Sequence, residues 1–205
     1  MTARASRSIA RVDANRAQDE TVGDGHASSP WPLALVRRAG SLLVALPRTA
    51  GVVLAAGWMA FSWWLSSGPR GPQDGGVWWA FAANLAHAPL FGILALCWIV
   101  ALPRRELGSE LGANGRRWAR LGPIEMAVVL ALALAWGLTD EWHQAGVDGR
   151  VASWTDLVTD AVGASAVLVV AAYAGRDDAS ARGLLARLGL GLVACAAAAA
   201  VATSV

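Results

Sequence analysis

The sequence predicts an all-α protein, a transmembrane bundle of about five helices preceded by a disordered polar N-terminal tail. Of the 205 residues, 56 % are hydrophobic and only 16 % are charged, which is too apolar for an ordinary soluble domain. Apolar runs of about 20 residues, long enough to cross the ~30 Å hydrocarbon core, occur five times. Because unpaired strand edges are not tolerated in lipid and no alternating barrel pattern is present, these spans are expected to be helices.

The predicted spans divide the chain into four parts. Residues 1–30 are expected to form a disordered cytoplasmic tail, and residues 31–48 a basic amphipathic segment at the membrane interface. Residues 49–175 are the expected membrane domain, and residues 176–205 add one more C-terminal transmembrane helix. The spans themselves cover residues 50–66, 77–102, 123–142, 154–174 and 184–204.

The distribution of basic residues predicts the orientation of the protein in the membrane. All 17 basic residues are arginines, and cytoplasmic loops of membrane proteins collect positive charge. Seven arginines precede the first span and five follow the second, whereas the loops after the first and third spans hold only Arg70 and Arg150. The N-terminus is therefore expected in the cytoplasm and the C-terminus outside. Tryptophans favour the membrane interface, and six lie at predicted outer ends: Trp63, Trp64, Trp78, Trp79, Trp142 and Trp154.

A polar stretch between two strongly apolar spans indicates a functional site. Residues 138–165, LTDEWHQAGVDGRVASWTDLVTDAVGAS, contain five carboxylates, a histidine, a glutamine and an arginine. His87 follows Trp78 by nine residues, which places it about 14 Å deeper along the second span at ~1.5 Å per residue. Ionisable side chains at membrane depth cost about 3 kcal/mol or more each, so they face the bundle interior or a wet cavity. Side chains from three spans are therefore expected to converge on one pocket in the outer half of the membrane.

The residue types in this pocket suggest two kinds of role. His87, Glu141 and Asp156 can exchange protons and are the expected catalytic residues if the site is an active site. Arg150 carries a planar, permanently charged fork that suits phosphate or carboxylate. Asp156 and Asp160 lie one helical turn apart on one helix face. The expected ligand-binding residues are Asn84, Asp140, Gln144, Arg150, Trp154 and Asp160.

A structural role is open for several of the same residues. Asp140 and Glu141 could mark the end of the third span where it meets water. Ser153 or Asp156 could cap the start of the fourth span, at the positive end of its dipole. His143 is expected at the interface, pointing to water. The deeper members of the cluster lie too far from a helix end for capping, which favours a functional site for the group as a whole.

The sequence contains no signature of a cofactor, a metal centre or a nucleic-acid interface. There is no phosphate-binding or dinucleotide-binding loop, and the arginines flank the spans rather than form a separate basic domain. Cys97 and Cys195 lie in different spans and are expected to be packed thiols. We therefore expect no cofactor, no metal and no nucleic-acid partner, and the oligomeric state is not predicted.

Two groups of residues match the pattern of a known family. The first is the run NLAH at residues 84–87, followed by Phe91, and the second begins with DEWHQ at residues 140–144. The second group continues with Gly149-Arg150, Ala152-Ser153-Trp154, Asp156 and Gly163. Over roughly residues 50–175 the chain thus resembles the VanZ-like family of small bacterial membrane proteins.

Three positions depart from the pattern of that family. Asp148 stands where proline is common, Asp160 where asparagine is common, and Asn84 where a lysine is often found. The missing lysine removes a positive charge from the polar cluster, and Asp160 adds a carboxylate.

The resemblance implies an integral membrane protein whose namesake relative reduces susceptibility to teicoplanin, a glycopeptide antibiotic with a lipid tail. The first hypothesis is a cell-envelope protein with an outward-facing pocket that binds an amphiphile, either a lipid-linked wall precursor or a lipoglycopeptide. The second is a membrane-embedded hydrolase or transferase that acts on a lipid head group with His87, Glu141 and Asp156. The third is a proton-coupled transporter, which ranks last because five spans are few and no internal repeat is visible. Membrane lipids are expected partners in all three cases.

Overall fold

The computed structural model describes residues 31–68, 76–102, 121–148, 150 and 152–204. Within this part of the chain the regular structure is helical, as predicted. The helices are α1 (Trp31–Ala45), α2 (Arg48–Ser66), α3 (Gly76–Ala101), α4 (Pro123–Gln144), α5 (Trp154–Ala174) and α6 (Ala181–Ser204). Helices α2 to α6 are long and apolar enough to cross a membrane, which confirms the five predicted spans. The tail predicted for residues 1–30 and the arginine-rich loop at 103–120 lie outside the described residues.

Four of the long helices extend beyond their predicted bounds. α2 begins at Arg48 and α3 at Gly76, two residues and one residue ahead of their predicted starts. α4 continues to Gln144 instead of ending at residue 142, so the whole DEWHQ motif is helical. α6 begins at Ala181, ahead of the predicted start at residue 184. Because a helix has 3.6 residues per turn, the extension of α4 directs the side chains of the motif to different sides of the helix.

Helices α3 and α5 form the centre of the bundle. α2 packs against α3, α4 packs mainly against α5, and α6 packs against both central helices. Their apolar core includes Phe91, Leu94, Val129, Ala133, Ala164 and Leu168. Because lipid is as apolar as these side chains, close packing and interhelical hydrogen bonds, rather than exclusion of water, hold such helices together.

Two glycines allow the helices to approach closely. A Cβ on Gly163 of α5 would lie 2.5 Å from the Cα of Ala88 in α3, closer than real side chains tolerate. A Cβ on Gly51 of α2 would lie 2.7 Å from the carbonyl carbon of Val100 in α3. These contacts fix both neighbours of α3 and, at Gly163, bring the polar faces of α3 and α5 together.

The first helix is attached to the bundle opposite the polar cluster. Leu33 is buried against Ala174 and Leu184. Arg37 donates hydrogen bonds to the carbonyl oxygens of Ala174 (3.0 Å) and Arg176 (2.6 Å), which satisfies carbonyl groups at the C-terminal end of α5. A cation at this position also complements the negative end of the helix dipole.

The turn between α5 and α6 is held by an ion pair outside the spans. Arg176 donates two hydrogen bonds of 2.8 Å each to the carboxylate of Asp178. These bonds hold the pKa of the Asp178 carboxyl below its ordinary value. The turn therefore keeps a local ion pair down to a lower pH than an isolated aspartate would allow.

One end of the bundle carries the predicted polar cluster and is called the cavity end below. It contains the C-terminal ends of α2, α4 and α6 and the N-terminal ends of α3 and α5. The six tryptophans predicted to share one side of the membrane belong to these helix ends and are exposed. The chain therefore brings the predicted aromatic belt and the polar cluster to the same end.

Candidate ligand-binding cavity

A cavity of about 670 Å³ opens at the cavity end and is lined by all five long helices and the loop before α5. Small-molecule sites commonly have volumes of about 300–1,000 Å³. Along α3 the lining extends from Gly76 to Phe91, or about 22 Å at ~1.5 Å per residue. Its polar lining residues are Ser62, Ser66, Asn84, His87, Asp140, Gln144, Arg150, Ser153, Asp156 and Thr203.

At the deep part of the cavity, α3 and α5 bring together His87, Asp156 and Asp160, called the His87 cluster below. His87 Nδ1 lies 3.0 Å from Asp160 Oδ1, and His87 Nε2 lies 3.9 Å from Asp156 Oδ2. An ionised carboxylate only accepts hydrogen bonds, so the proton between His87 and an ionised Asp160 belongs on Nδ1. The close approach of Ala88 to Gly163 sets this geometry, because His87 precedes Ala88 and both aspartates precede Gly163 on the same face.

The two aspartates of the cluster have different access to the cavity. Asp156 is only 4 % exposed but lines the cavity, whereas Asp160 is 1 % exposed and lies behind the imidazole ring. Asp160 therefore contacts His87 and orients it, while Asp156 and the Nε2 side of the ring face the space that a ligand could enter.

A second polar network joins α2 to α4. Asp140 accepts hydrogen bonds from Ser66 Oγ at 2.6 Å and from Gln144 Nε2 at 2.8 Å. Asp140 is only 6 % exposed. It therefore does not simply mark the end of the helix in water, which was the alternative that the sequence left open. Charge-assisted bonds to both oxygens compensate for the burial of this carboxylate.

Arg150 lies in the loop before α5 and reaches across to the end of α2. It donates from Nε to the carbonyl oxygen of Gly68 (3.0 Å) and from Nη2 to that of Leu65 (3.2 Å). Among the described residues, no carboxylate is within ion-pairing distance of its guanidinium group. Arg150 therefore closes the C-terminal end of α2 and leaves a positive charge on the cavity wall without an anionic partner in the described part of the chain.

The VanZ/LLP1 family model matches residues 33–174 of this chain. The match contains the His87 cluster, the Asp140 network and Arg150, and it covers more than two thirds of the sequence. The chain belongs to the VanZ/LLP1 family. No curated protein and no solved structure gives a significant match.

In this VanZ/LLP1 protein, the region that matches the family model starts within α1 and ends at the last residue of α5. It therefore includes most of the basic segment at 31–48, which the sequence motifs alone had not joined to the family. Helix α6 lies beyond the matched residues. α6 nevertheless contributes Ala202 and Thr203 to the cavity wall, so this protein completes the site with a helix outside the family match.

Glu141 of this VanZ/LLP1 protein is buried but does not line the cavity. Its Oε2 accepts a hydrogen bond from the backbone N–H of Ser153 at 2.6 Å. The Ser153 hydroxyl does not cap α5 and instead shares a 2.6 Å hydrogen bond with the Thr155 hydroxyl. Glu141 thus holds the loop onto α4 and satisfies a backbone donor at the start of α5. Its predicted catalytic role is untested, but its position is that of a residue that supports the loop.

Three other predicted residues lie in different surroundings. Asn84 lines the cavity and donates a 3.1 Å hydrogen bond to Thr203 Oγ1 of α6. Trp154 is 70 % exposed and lies outside the cavity lining. His143 does not simply point to water, because its ring stacks on Trp63 with centroids 3.7 Å apart. The structure therefore places Asn84 at the site and the two aromatic residues around it.

Sequence reasoning missed the contributions of α2 and the end of α6. Ser62 and Ser66 line the cavity, and Ser62 Oγ also accepts a 2.9 Å hydrogen bond from Trp136 Nε1. The two serines are spaced i, i+4 in an otherwise apolar span, a pattern that places two hydroxyls on one helix face. That spacing was the feature of the sequence from which the contribution of α2 could have been predicted. Thr203 lies near the end of the last span without a second polar residue one turn earlier, so no pattern in the sequence indicated that it lines the cavity.

Much of the remaining cavity lining is apolar. Most of it comes from α3 and α6, in particular Ala80, Ala83, Ala86, Ala202, Trp79 and Leu90. The cavity thus offers hydrogen-bonding groups from all five long helices and the loop before α5, together with apolar surface that suits hydrocarbon. Among the described residues, no group of three or more His, Cys, Asp or Glu side chains is arranged to hold a metal ion.

Proposed function

We propose that this membrane protein binds an amphiphile whose anionic head group contacts Arg150 and whose apolar part lies along α3 and α6. The ligand class is a lipid-linked wall precursor or a lipoglycopeptide. Occupancy of the cavity, on this proposal, alters susceptibility to teicoplanin-type antibiotics. The cavity opens on the outer side of the cytoplasmic membrane, with the N-terminus in the cytoplasm and the C-terminus outside.

The observation that carries this proposal is the mixed polar and apolar lining of the cavity. A water-filled channel would be polar all round, and a simple packing defect would be apolar all round. Here the lining combines hydroxyl, amide, carboxylate, imidazole and guanidinium groups with alanine methyl groups and the Trp79 ring. A guanidinium that lacks a carboxylate partner among the described residues is well suited to a phosphate or carboxylate, because its fork can form two parallel hydrogen bonds.

The proposed orientation is supported by the charges at the two ends. Twelve of the 17 arginines either precede residue 50 or lie between residues 104 and 120, in segments expected at the end opposite the cavity. The exposed tryptophans lie at the cavity end. Because cytoplasmic segments collect positive charge, the arginine distribution supports a cavity that opens outward, and the tryptophans mark the cavity end as a membrane interface.

Binding to purified protein in lipid nanodiscs tests the proposal. A lipid-linked wall precursor and teicoplanin are titrated separately against the wild type and against Arg150→Gln. Loss of the guanidinium is expected to weaken binding at least tenfold, because a charge-assisted, bidentate contact contributes on the order of 1.5–3 kcal/mol. Arg182→Gln changes an exposed arginine in the first turn of α6, away from the cavity end, and should bind like the wild type.

A second pair of variants tests the apolar part of the cavity lining without removing a hydrogen-bonding side chain. Ala83 lines the cavity, whereas its neighbour Ala82 does not. Ala83→Phe is expected to fill the cavity and abolish binding, and Ala82→Phe should bind normally while remaining equally folded. Equal binding by both variants, or by Arg150→Gln and the wild type, would contradict the proposal.

Catalysis on a bound head group is a second candidate, favoured by the His87–Asp160 hydrogen bond. An imidazole held by a buried carboxylate through Nδ1 presents Nε2 as a proton acceptor, which is the arrangement of many general bases. Turnover of a lipid-linked precursor that disappears in His87→Ala while binding persists would establish this activity. Binding by the wild type without any turnover would leave the binding function alone.

A further inference from the structure

We propose that a hydroxyl group of the bound head group occupies the space between His87 Nε2 and Asp156 Oδ2. The inference rests on the proposed binding function and narrows its ligand class. The ligand is an amphiphile whose head group carries both an anionic group, which contacts Arg150, and a hydroxyl group, which contacts the His87 cluster.

The distance between the two atoms leaves room for an inserted group. His87 Nε2 and Asp156 Oδ2 are 3.9 Å apart, which is too long for a direct hydrogen bond, since N–H···O bonds are about 2.7–3.2 Å. A small polar atom placed beside the line that joins them, toward the cavity, can contact both. Each of these two residues lines the cavity, so the space is accessible to a ligand.

Asp156 is a largely buried acceptor that lines the cavity. It is 4 % exposed, and no described residue donates a hydrogen bond to its carboxylate. Asp140 is similarly buried, yet Ser66 and Gln144 each donate to it. A carboxylate at membrane depth is costly when it has no partner. The contrast indicates that the donor for Asp156 comes from what enters the cavity.

The neighbouring imidazole determines what kind of donor fits. Asp160 occupies Nδ1, so Nε2 is the only ring nitrogen of His87 that can contact a ligand. When Nε2 and Asp156 share one proton, one of them is a donor and the other an acceptor. A bridging group must then donate to one and accept from the other, which a hydroxyl does and an ammonium does not. Asp160 acts as a positioning residue, because it aims Nε2 at this space.

Two synthetic lipids of equal charge test the inference. Phosphatidylglycerol carries hydroxyl groups beyond its phosphate diester, whereas phosphatidylmethanol has the same phosphate diester and no hydroxyl. Binding of each lipid to the purified full-length protein in detergent is measured by native mass spectrometry. The wild type is expected to bind phosphatidylglycerol about tenfold more tightly, the effect of one good hydrogen bond to a charged group.

Variants of the cluster should remove the preference rather than the binding. Asp156→Leu keeps the branched shape and the number of side-chain heavy atoms but has no acceptor, so it is expected to bind both lipids equally, at the wild-type affinity for phosphatidylmethanol. Asp160→Asn weakens the hydrogen bond to His87 Nδ1 and should reduce the preference for phosphatidylglycerol to about threefold or less. This variant tests the inference if Asp156→Leu does not fold. Arg150→Gln should weaken the binding of both lipids by the same factor. Asp178→Asn, in the exposed turn before α6, is the control and should retain the full preference.

The outcomes separate this inference from the proposed function. Equal binding of the two lipids by the wild type, with both dependent on Arg150, would overturn the hydroxyl contact and leave the binding function standing. If neither lipid binds in a way that depends on Arg150, both the hydroxyl contact and the proposed binding function are overturned for phospholipid ligands. An Asp156-dependent preference for phosphatidylethanolamine over phosphatidylcholine, with none for phosphatidylglycerol, would identify an ammonium instead and refute the hydroxyl.

Discussion

Replacing Gly163 by alanine is expected to separate α3 from α5 and to disrupt the His87 cluster. The new Cβ would stand 2.5 Å from the Cα and 2.7 Å from the carbonyl carbon of Ala88, whereas unstrained carbon contacts are about 3.5–4.0 Å. Both obstructing atoms belong to backbone inside a helix, so no side-chain rotation relieves the clash. The helices must therefore move apart by on the order of 1 Å at this point.

A shift of that size has two measurable consequences. Overpacking of this kind costs about 1–3 kcal/mol of stability. The 3.0 Å contact between His87 and Asp160 would lengthen to roughly 4 Å, which is beyond hydrogen-bonding distance. Gly163→Ala should therefore unfold at a lower SDS fraction in mixed micelles and should also lose discrimination between phosphatidylglycerol and phosphatidylmethanol.

Gly57→Ala is the matched control for the effect of alanine on helix propensity. Gly57 lies in the membrane helix α2, and no atom lies within 4 Å of the position its Cβ would take. The control is expected to be neutral or stabilised by up to about 1 kcal/mol, because alanine favours helix more than glycine does. If Gly163→Ala unfolds at the same SDS fraction as Gly57→Ala, the close helix contact at Ala88 does not exist as described.

Three further predictions concern other contacts. Ser66→Ala removes one donor from the buried Asp140 and should lower the free energy of unfolding in mixed micelles by about 0.6–1.7 kcal/mol, the range for interhelical hydrogen bonds in membranes; no loss would mean that α2 and α4 are not joined there. Arg37→Gln removes the donor to Ala174 and should release α1, seen as faster hydrogen exchange at the end of α5, while unchanged exchange would argue against this cap. A single cysteine at the exposed Gly146, in a background without native cysteines, should react with a membrane-impermeant maleimide added to intact cells; reaction only after lysis would place the cavity on the cytoplasmic side.

The periodicity of the sequence was sufficient for part of the site. Asp156 and Asp160 are one turn apart, and both are buried on the face that meets His87. The depth of His87 followed from counting residues along its span, and the need to bury these groups together followed from the cost of charge in lipid. Gly163, which belongs to the family pattern, allows the close approach of α5 to Ala88 of α3.

Which polar residues line the cavity and which support the loop could not be predicted from the sequence in the same way. Transmembrane helices are apolar toward lipid and toward the core, so the pattern of apolar residues does not reveal which side faces inward. Glu141 and Asp140 are adjacent in sequence, yet Asp140 lines the cavity and Glu141 holds the loop at Ser153. Trp154 and Asp156 are also close in sequence, and only Asp156 faces the cavity.

The sequence by itself determined the class of this protein, its five spans and its family, because hydrophobic length and an ordered set of polar motifs are local properties of the chain. Only the tertiary structure decided which groups meet. The Asp140–Ser66 bond joins residues 74 positions apart, and Arg150 reaches carbonyl groups more than 80 positions away. Such partners are selected by how the helices pack, and packing depends on contacts between side chains that lie far apart along the chain.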